Sequence, residues 1–147
     1  MRPLRVLVVD DSALARDMLR ELLTRDGDIE VVAEAPDGGA AVRLVDELGP
    51  DLVTMDLQLP GLSGLDAIEQ IMARRPVPIL VVTGQPSGEG NDLAFQAVQR
   101  GALHLLPKPS LAAADAGAQL RAEIRALARV PVLRHVAGAR AAAPAPA

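Results

Sequence analysis

The chain has no cysteine, no tryptophan and no tyrosine. Without cysteine it can form no disulfide, no thiolate nucleophile and no cysteine-bound zinc site. Phe95 is its one aromatic residue. That argues against the stacking platforms used to bind single-stranded nucleic acid, and against a sandwich for a large flat cofactor. No apolar run approaches the roughly 20 residues of a membrane span. The first apolar run stops at Val9 against two acids, which is not a secretory pattern. Lysine is almost missing as well. Of 15 cations, 14 are arginine and the remaining one is Lys108, in "LLPKPS". With a net charge of −4 and a pI near 5.1, general binding to nucleic acid or an anionic membrane is not expected. A soluble cytoplasmic protein is the expectation.

The chain does have a core's worth of apolar residues: 147 residues, half of them hydrophobic, suit one domain. Short apolar runs alternate with helical patterns. "RVLVV" (5–9), "EVVAEA" (30–35), "DLVTMD" (51–56), "ILVVT" (79–83) and "LHLL" (103–106) read as strands. Ser12 is a candidate N-cap, and Leu14, Met18 and Leu22, widened by Leu19 and Leu23, mark the first helix. "RDGD" breaks it. Ala41, Val45 and Leu48 mark a second helix after the turn "PDGG"; Leu65, Ile68 and Met72 a third; Leu93, Ala97 and Val98 a short fourth. A fifth covers about 114–129, with Leu120, Ile124 and Leu127 on one face. Five strand–helix units with short connections predict an α/β fold, a five-stranded parallel sheet doubly wound with helices on both faces. Ligands of such sheets sit at the C-terminal ends of the strands.

The C-terminal segment differs. Residues 130–147 lack an apolar period and end in Ala/Pro alternation, which predicts a linker or tail after a domain spanning 1–129. Residues 1–109 hold 10 cations against 17 acids, whereas 110–147 hold 5 against 2.

The strand ends carry the chemistry. Asp10 and Asp11 follow the first strand, Asp56 the third, Thr83 closes the fourth and Lys108 follows the fifth. Singly, each is an ordinary cap, turn former or strand terminus. Jointly, a parallel sheet puts them all on one rim. Three carboxylates in one pocket repel, and a hard divalent cation such as Mg²⁺, bound by oxygen ligands, makes them tolerable. Metal, ammonium and hydroxyl together point to phosphoryl chemistry, whose charge they stabilise. With no Ser, Cys or His nucleophile evident there, a carboxylate is the expected acceptor.

The segments "VLVVDDSALARDML", "PDLVTMDLQLPGLSGLDAI", "PVPILVVTG" and "GALHLLPKP" resemble the receiver domain of two-component response regulators, from about Arg5 to Arg129. The resemblance implies the flavodoxin-like receiver fold. It implies Asp56 as phospho-acceptor, with Asp10, Asp11, Asp56 and the backbone carbonyl of Gln58 around Mg²⁺, and Thr83 and Lys108 on the phosphoryl oxygens. It implies a sensor histidine kinase as phosphodonor, and often a cis bond before Pro109. The stretches "DLVTMDLQLPGLSGLDAIEQIMARRPVPILVVT", "GEGNDLAFQAVQRGALHLLPKPS" and "LRAEIRALARVPV" are similar to chemotaxis protein-glutamate methylesterases. In those, a linker joins the receiver to a Ser–His–Asp hydrolase domain and the chemoreceptor complex is the setting. The chain is too short for that domain and lacks its Gly-rich nucleophile segments. It is read as the receiver portion of such an enzyme or a free-standing relative, monomeric or dimerising on phosphorylation. His104 is a strand-edge residue and His135 a tail residue.

One departure stands out. Leu105 occupies the place where many receivers have a switching Tyr or Phe. The Gly-rich loop 84–91 is expected to pass a Thr83 shift to the fourth helix. Gln58 and Gln85 are either tuners of hydrolytic water or ordinary loop amides. Two other readings fit the residues less well. A metal-dependent phosphohydrolase needs a second acid two residues after its nucleophile, where Gln58 stands. An FMN module needs aromatics.

Overall fold

The computed structural model describes residues 2–84, 93–108 and 115–132. Within them lie β1 (Leu4–Val9), α1 (Ala13–Thr24), β2 (Ile29–Ala35), α2 (Gly38–Leu48), β3 (Leu52–Met55), α3 (Gly64–Arg74), β4 (Ile79–Thr83), α4 (Leu93–Arg100), β5 (His104–Pro107) and α5 (Ala116–Leu127). The strands form one parallel sheet in the order β2-β1-β3-β4-β5. This is the expected doubly wound α/β architecture. The chain moves outward from β1 to β2, then crosses back to β3, so the winding reverses between the C-terminal ends of β1 and β3. That is where such sheets bind ligands.

Strand alternation divides the interior. Leu7 and Val9, Val53 and Met55, Ile79 and Val81 face a core closed by Ala41, Val45, Ile68, Met72 and Ala97 of α2, α3 and α4. Val6 and Val8, Leu52, Leu80 and Val82 face a second core closed by Leu19 and Leu23 of α1 and Leu120 and Ile124 of α5. Burial on both faces explains why these strands are continuous apolar runs rather than alternating ones. Thr54 breaks that run. It is buried, and its hydroxyl has no hydrogen-bond partner among the described residues. Thr54→Val keeps the shape and removes the unpaired group, so it is expected to stabilise the fold by about 1 kcal/mol, measured as a higher denaturation midpoint.

The caps follow the sequence. Ser12 accepts from the Ala15 N–H at 3.1 Å, Asp37 from Ala40 at 2.7 Å and Ser63 from Asp66 at 3.1 Å. "PDGG" is thus half turn and half helix, since Gly38 and Gly39 already belong to α2. Gly49, at φ 54°, ends that helix in the left-handed conformation.

Two helical faces differ from expectation. In α1 the buried residues are Ala15, Leu19, Leu22 and Leu23, while Leu14 is 76% exposed and Met18 half-buried. The stripe i, i+4, i+7, i+8 starts at Ala15, a small residue that contributes little to an apolar pattern. In α4 only Ala97 is buried, and Phe95 and Val98 face outward. β5 includes Pro107 as its last residue, tolerated because β5 is an edge strand. His104 is exposed on that strand, 3.9 Å from Glu123.

A further contact was not anticipated. Buried Arg121 donates to Asp26 at 2.8 Å and to the Leu22 carbonyl at 2.7 Å, and Arg125 bridges Asp26 and Asp28. This ties α5 to the turn after α1. The hydrogen bonds from Arg125 and Arg121 hold the Asp26 carboxyl below its usual value. The stabilisation is present at neutral pH and fades as pH falls through that lowered pKa. Most of the 84–91 loop, Gln85, the bond before Pro109, His135 and most of the tail lie outside the described residues. Among those described, no helix is long and apolar enough to cross a membrane.

Candidate functional site

The ladder of the sheet continues one residue beyond its strands, and the site stands on those last rungs. The Asp10 N–H donates to the Ala35 carbonyl, the Asp56 N–H to Val9 and the Lys108 N–H to Thr83, each at 3.0 Å. Parallel register pairs Val9 with Met55 and Thr83 with Pro107. The residues that follow are therefore brought side by side. Asp10, Asp56 and Thr83 are 1%, 3% and 1% exposed, Asp11 is exposed, and the Lys108 side chain is 26% exposed.

The side chains converge. Asp56 Oδ1 accepts from the Thr83 hydroxyl at 3.0 Å and from the Gln58 N–H at 3.1 Å. Lys108 Nζ lies 2.8 Å from Asp10 Oδ2 and 3.2 Å from Asp56 Oδ2. Asp10 Oδ1 accepts from the Ser12 N–H at 2.9 Å, so Ser12 caps α1 while its own N–H orients the first acid. Burial works against charge on Lys108, but the hydrogen bond it donates to Asp10 and the pull of Asp56 and Asp10 outweigh it and raise its pKa above the usual lysine value.

Asp10, Asp11 and Asp56 each offer a carboxylate oxygen, and these atoms lie within 4.8 Å of one another. The donor set fits a hard divalent cation: all oxygen, three negative charges, and one ammonium to offset them. Of the residues expected at the site, Asp10, Asp11, Asp56, Thr83 and Lys108 meet there. Gln58 meets it through its N–H, with its side chain exposed. Leu105 is half-buried and packs against the core under α2, α3 and α4.

Sequence reasoning missed Gly64. It opens α3, and its N–H donates to the Leu57 carbonyl at 3.2 Å. A Cβ at Gly64 would collide with the Asp56 carbonyl oxygen and lie 2.6 Å from Leu57 Cα. The helix end is therefore seated directly on the backbone that carries Asp56, with no room for a side chain. Gly64→Ala is expected to displace that backbone and destabilise the fold by about 1–3 kcal/mol, as overpacking does. Chemical denaturation measures this, and a loss below a few tenths of a kcal/mol would show that the loop yields freely.

Residues 6–132 match the family model for the response regulator receiver domain. A protein-glutamate methylesterase/protein-glutamine glutaminase of Myxococcus xanthus is 46% identical over 99% of this chain and 42% of its own length. Its counterpart in Pyrococcus horikoshii is 39% identical over 88% of this chain and 36% of its own length. The chain thus spans about two-fifths of the curated relatives it matches. The crystal structure of the response regulator domain of Thermotoga maritima CheB superposes with a TM-score of 0.81 at 36% identity, covering 88% of this chain and 99% of that one.

Proposed function

Since this chain belongs to the response regulator receiver domain family, we propose that Asp56 accepts a phosphoryl group from the phosphohistidine of a sensor histidine kinase. The observation that carries this reading is the state of the Asp56 carboxylate. It is buried, with one oxygen held by a hydroxyl and a backbone N–H and the other beside an ammonium.

The buried carboxylate is held in one orientation, as a nucleophile needs to be. An Asp56 oxygen attacks phosphorus, the P–N bond to the kinase imidazole breaks, and the electron pair stays on the imidazole nitrogen. The product is an acyl phosphate. Mg²⁺ held by Asp10, Asp11 and Asp56, with the Gln58 backbone carbonyl as a further donor, supplies charge neutralisation to the phosphoryl group when bound. Thr83 and Lys108, which donate to Asp56 before transfer, turn to the new phosphoryl oxygens afterwards. The added charge of about −1.5 to −2 is met first by Thr83 and Lys108, so the switch starts at the ends of β4 and β5.

Curated relatives that match include methylesterase/glutaminases. This supports a reading in which residues 1–129 are the receiver and 130–147 a linker, with a methylesterase domain as output and the chemoreceptor complex as setting. A cytoplasmic location goes with it. The alternative, if no such domain is attached, is a free-standing regulator, monomeric or dimerising on phosphorylation. A phosphohydrolase is disfavoured by the residues after Asp56, because Leu57 is buried in the core and Gln58 is not an acid.

The test is intact mass after incubation with acetyl phosphate, with Mg²⁺ and with chelator. One phosphoryl adduct, formed only with the metal, is expected. No adduct, or one that forms equally in chelator, overturns the proposal.

A further inference from the structure

Behind the acid cluster, on the face of α1 toward β2, Arg16 makes two contacts at once. Its Nη1 donates to the backbone carbonyl of Asp10 at 2.6 Å, and its Nε donates to Glu34 Oε1 at 3.1 Å. The other Glu34 oxygen accepts from Arg20 Nε at 2.7 Å. Arg16 and Glu34 are both largely covered, with side chains 18% and 23% exposed. Burial opposes charge on Glu34, but the hydrogen bonds from Arg20 and Arg16 outweigh it and lower its pKa. Glu34 is thus an anionic anchor that fixes the plane of the Arg16 guanidinium.

The Asp10 carbonyl belongs to the peptide unit that joins Asp10 to Asp11. Holding that oxygen fixes the rotation of the unit from which both acids project. Asp10 is then tied at four points: its N–H to Ala35, its carboxylate to the Ser12 N–H and to Lys108, and its carbonyl to Arg16. Of the two side chains among these, Lys108 holds the carboxylate and Arg16 the backbone. We propose that Arg16, oriented by Glu34, is a positioning residue for divalent cation binding at Asp10, Asp11 and Asp56. The inference rests on the receiver reading above.

Positioning and charge act in opposite directions here, which makes the proposal testable. A guanidinium beside three carboxylates repels a cation, so as a charge alone its removal would tighten metal binding. As a positioning group its removal loosens binding. The experiment is calorimetric titration of the full chain with Mg²⁺, alongside thermal melts, for wild type, Arg16→Met, Arg16→Lys and Glu34→Gln. Arg16→Met is expected to weaken Mg²⁺ about ten-fold, the scale of losing an outer partner of a metal ligand. Arg16→Lys is expected to restore part of this, since an ammonium lacks the fork that spans carbonyl and carboxylate. Glu34→Gln leaves the arginine but loosens its anchor, and a loss of a few-fold is expected. Should Arg16→Met not fold, the other two variants decide by the same criterion. Affinity that is unchanged or tighter, with or without a shift in melting temperature, overturns the proposal. A wild-type chain that binds no Mg²⁺ overturns the receiver reading as well, whereas binding that is equal in wild type and variants overturns this inference alone.

Discussion

Asp56→Asn is expected to abolish phosphoryl labelling by acetyl phosphate or a phosphorylated kinase, with the fold retained. The change is nearly isosteric, so packing around the 3%-exposed side chain survives. The chemistry does not, because a neutral amide is a far poorer nucleophile than a carboxylate and cannot form the acyl phosphate. The hydrogen bonds survive only in part. The amide oxygen can still accept from the Thr83 hydroxyl and the Gln58 N–H, but the amide nitrogen would then face Lys108 Nζ, donor against donor. Removing one of three neighbouring carboxylates relieves repulsion. Stability in chelator should therefore hold or rise, while Mg²⁺ binding weakens. Intact mass after the labelling reaction measures the main effect. Undiminished incorporation in Asp56→Asn would place the phosphoryl group on another residue.

How far the sequence foretold this depends on what kind of signal each residue leaves. Asp10, Asp11, Asp56, Thr83 and Lys108 were legible because each is a polar residue at or just past the end of an apolar strand, and a parallel sheet sends all such ends to one rim. Lys108 was doubly visible as the one lysine among arginines. Arg16 and Arg121 were hidden by the same bias, as two of 14 arginines with nothing in the chain to single out those that turn inward. Gly64 was opaque for another reason. Its backbone is ordinary, so no turn pattern demanded glycine; the demand comes from the Asp56 carbonyl packed against it, which only three-dimensional placement reveals. The buried phase of α1 turned on Ala15 against Leu14, where hydrophobicity pointed to the wrong residue.

Lys108→Met should raise Mg²⁺ affinity by about ten-fold or more while destabilising the metal-free protein. Nζ sits 2.8 Å from Asp10 Oδ2 and 3.2 Å from Asp56 Oδ2. These belong to the carboxylates a bound cation needs, so the ammonium opposes it both by occupying the oxygens and by its charge. The ammonium is charged at working pH. Its pKa lies above the usual lysine value, so its stabilisation is complete below that usual value and is lost only as pH rises through the raised pKa. Without it, Asp10 and Asp56 remain buried and facing each other. A loss of about 1–3 kcal/mol in chelator is the scale of stranding such groups, and it should shrink when Mg²⁺ is added, because the cation then supplies the missing charge. Lys108→Arg should fold and bind metal near the wild-type level yet signal poorly, since a broad guanidinium cannot follow a point charge from carboxylate to phosphoryl oxygen. Calorimetry with Mg²⁺ and denaturation with and without the metal measure both effects. Equal Mg²⁺ affinity in Lys108→Met and wild type would detach the lysine from the acid cluster.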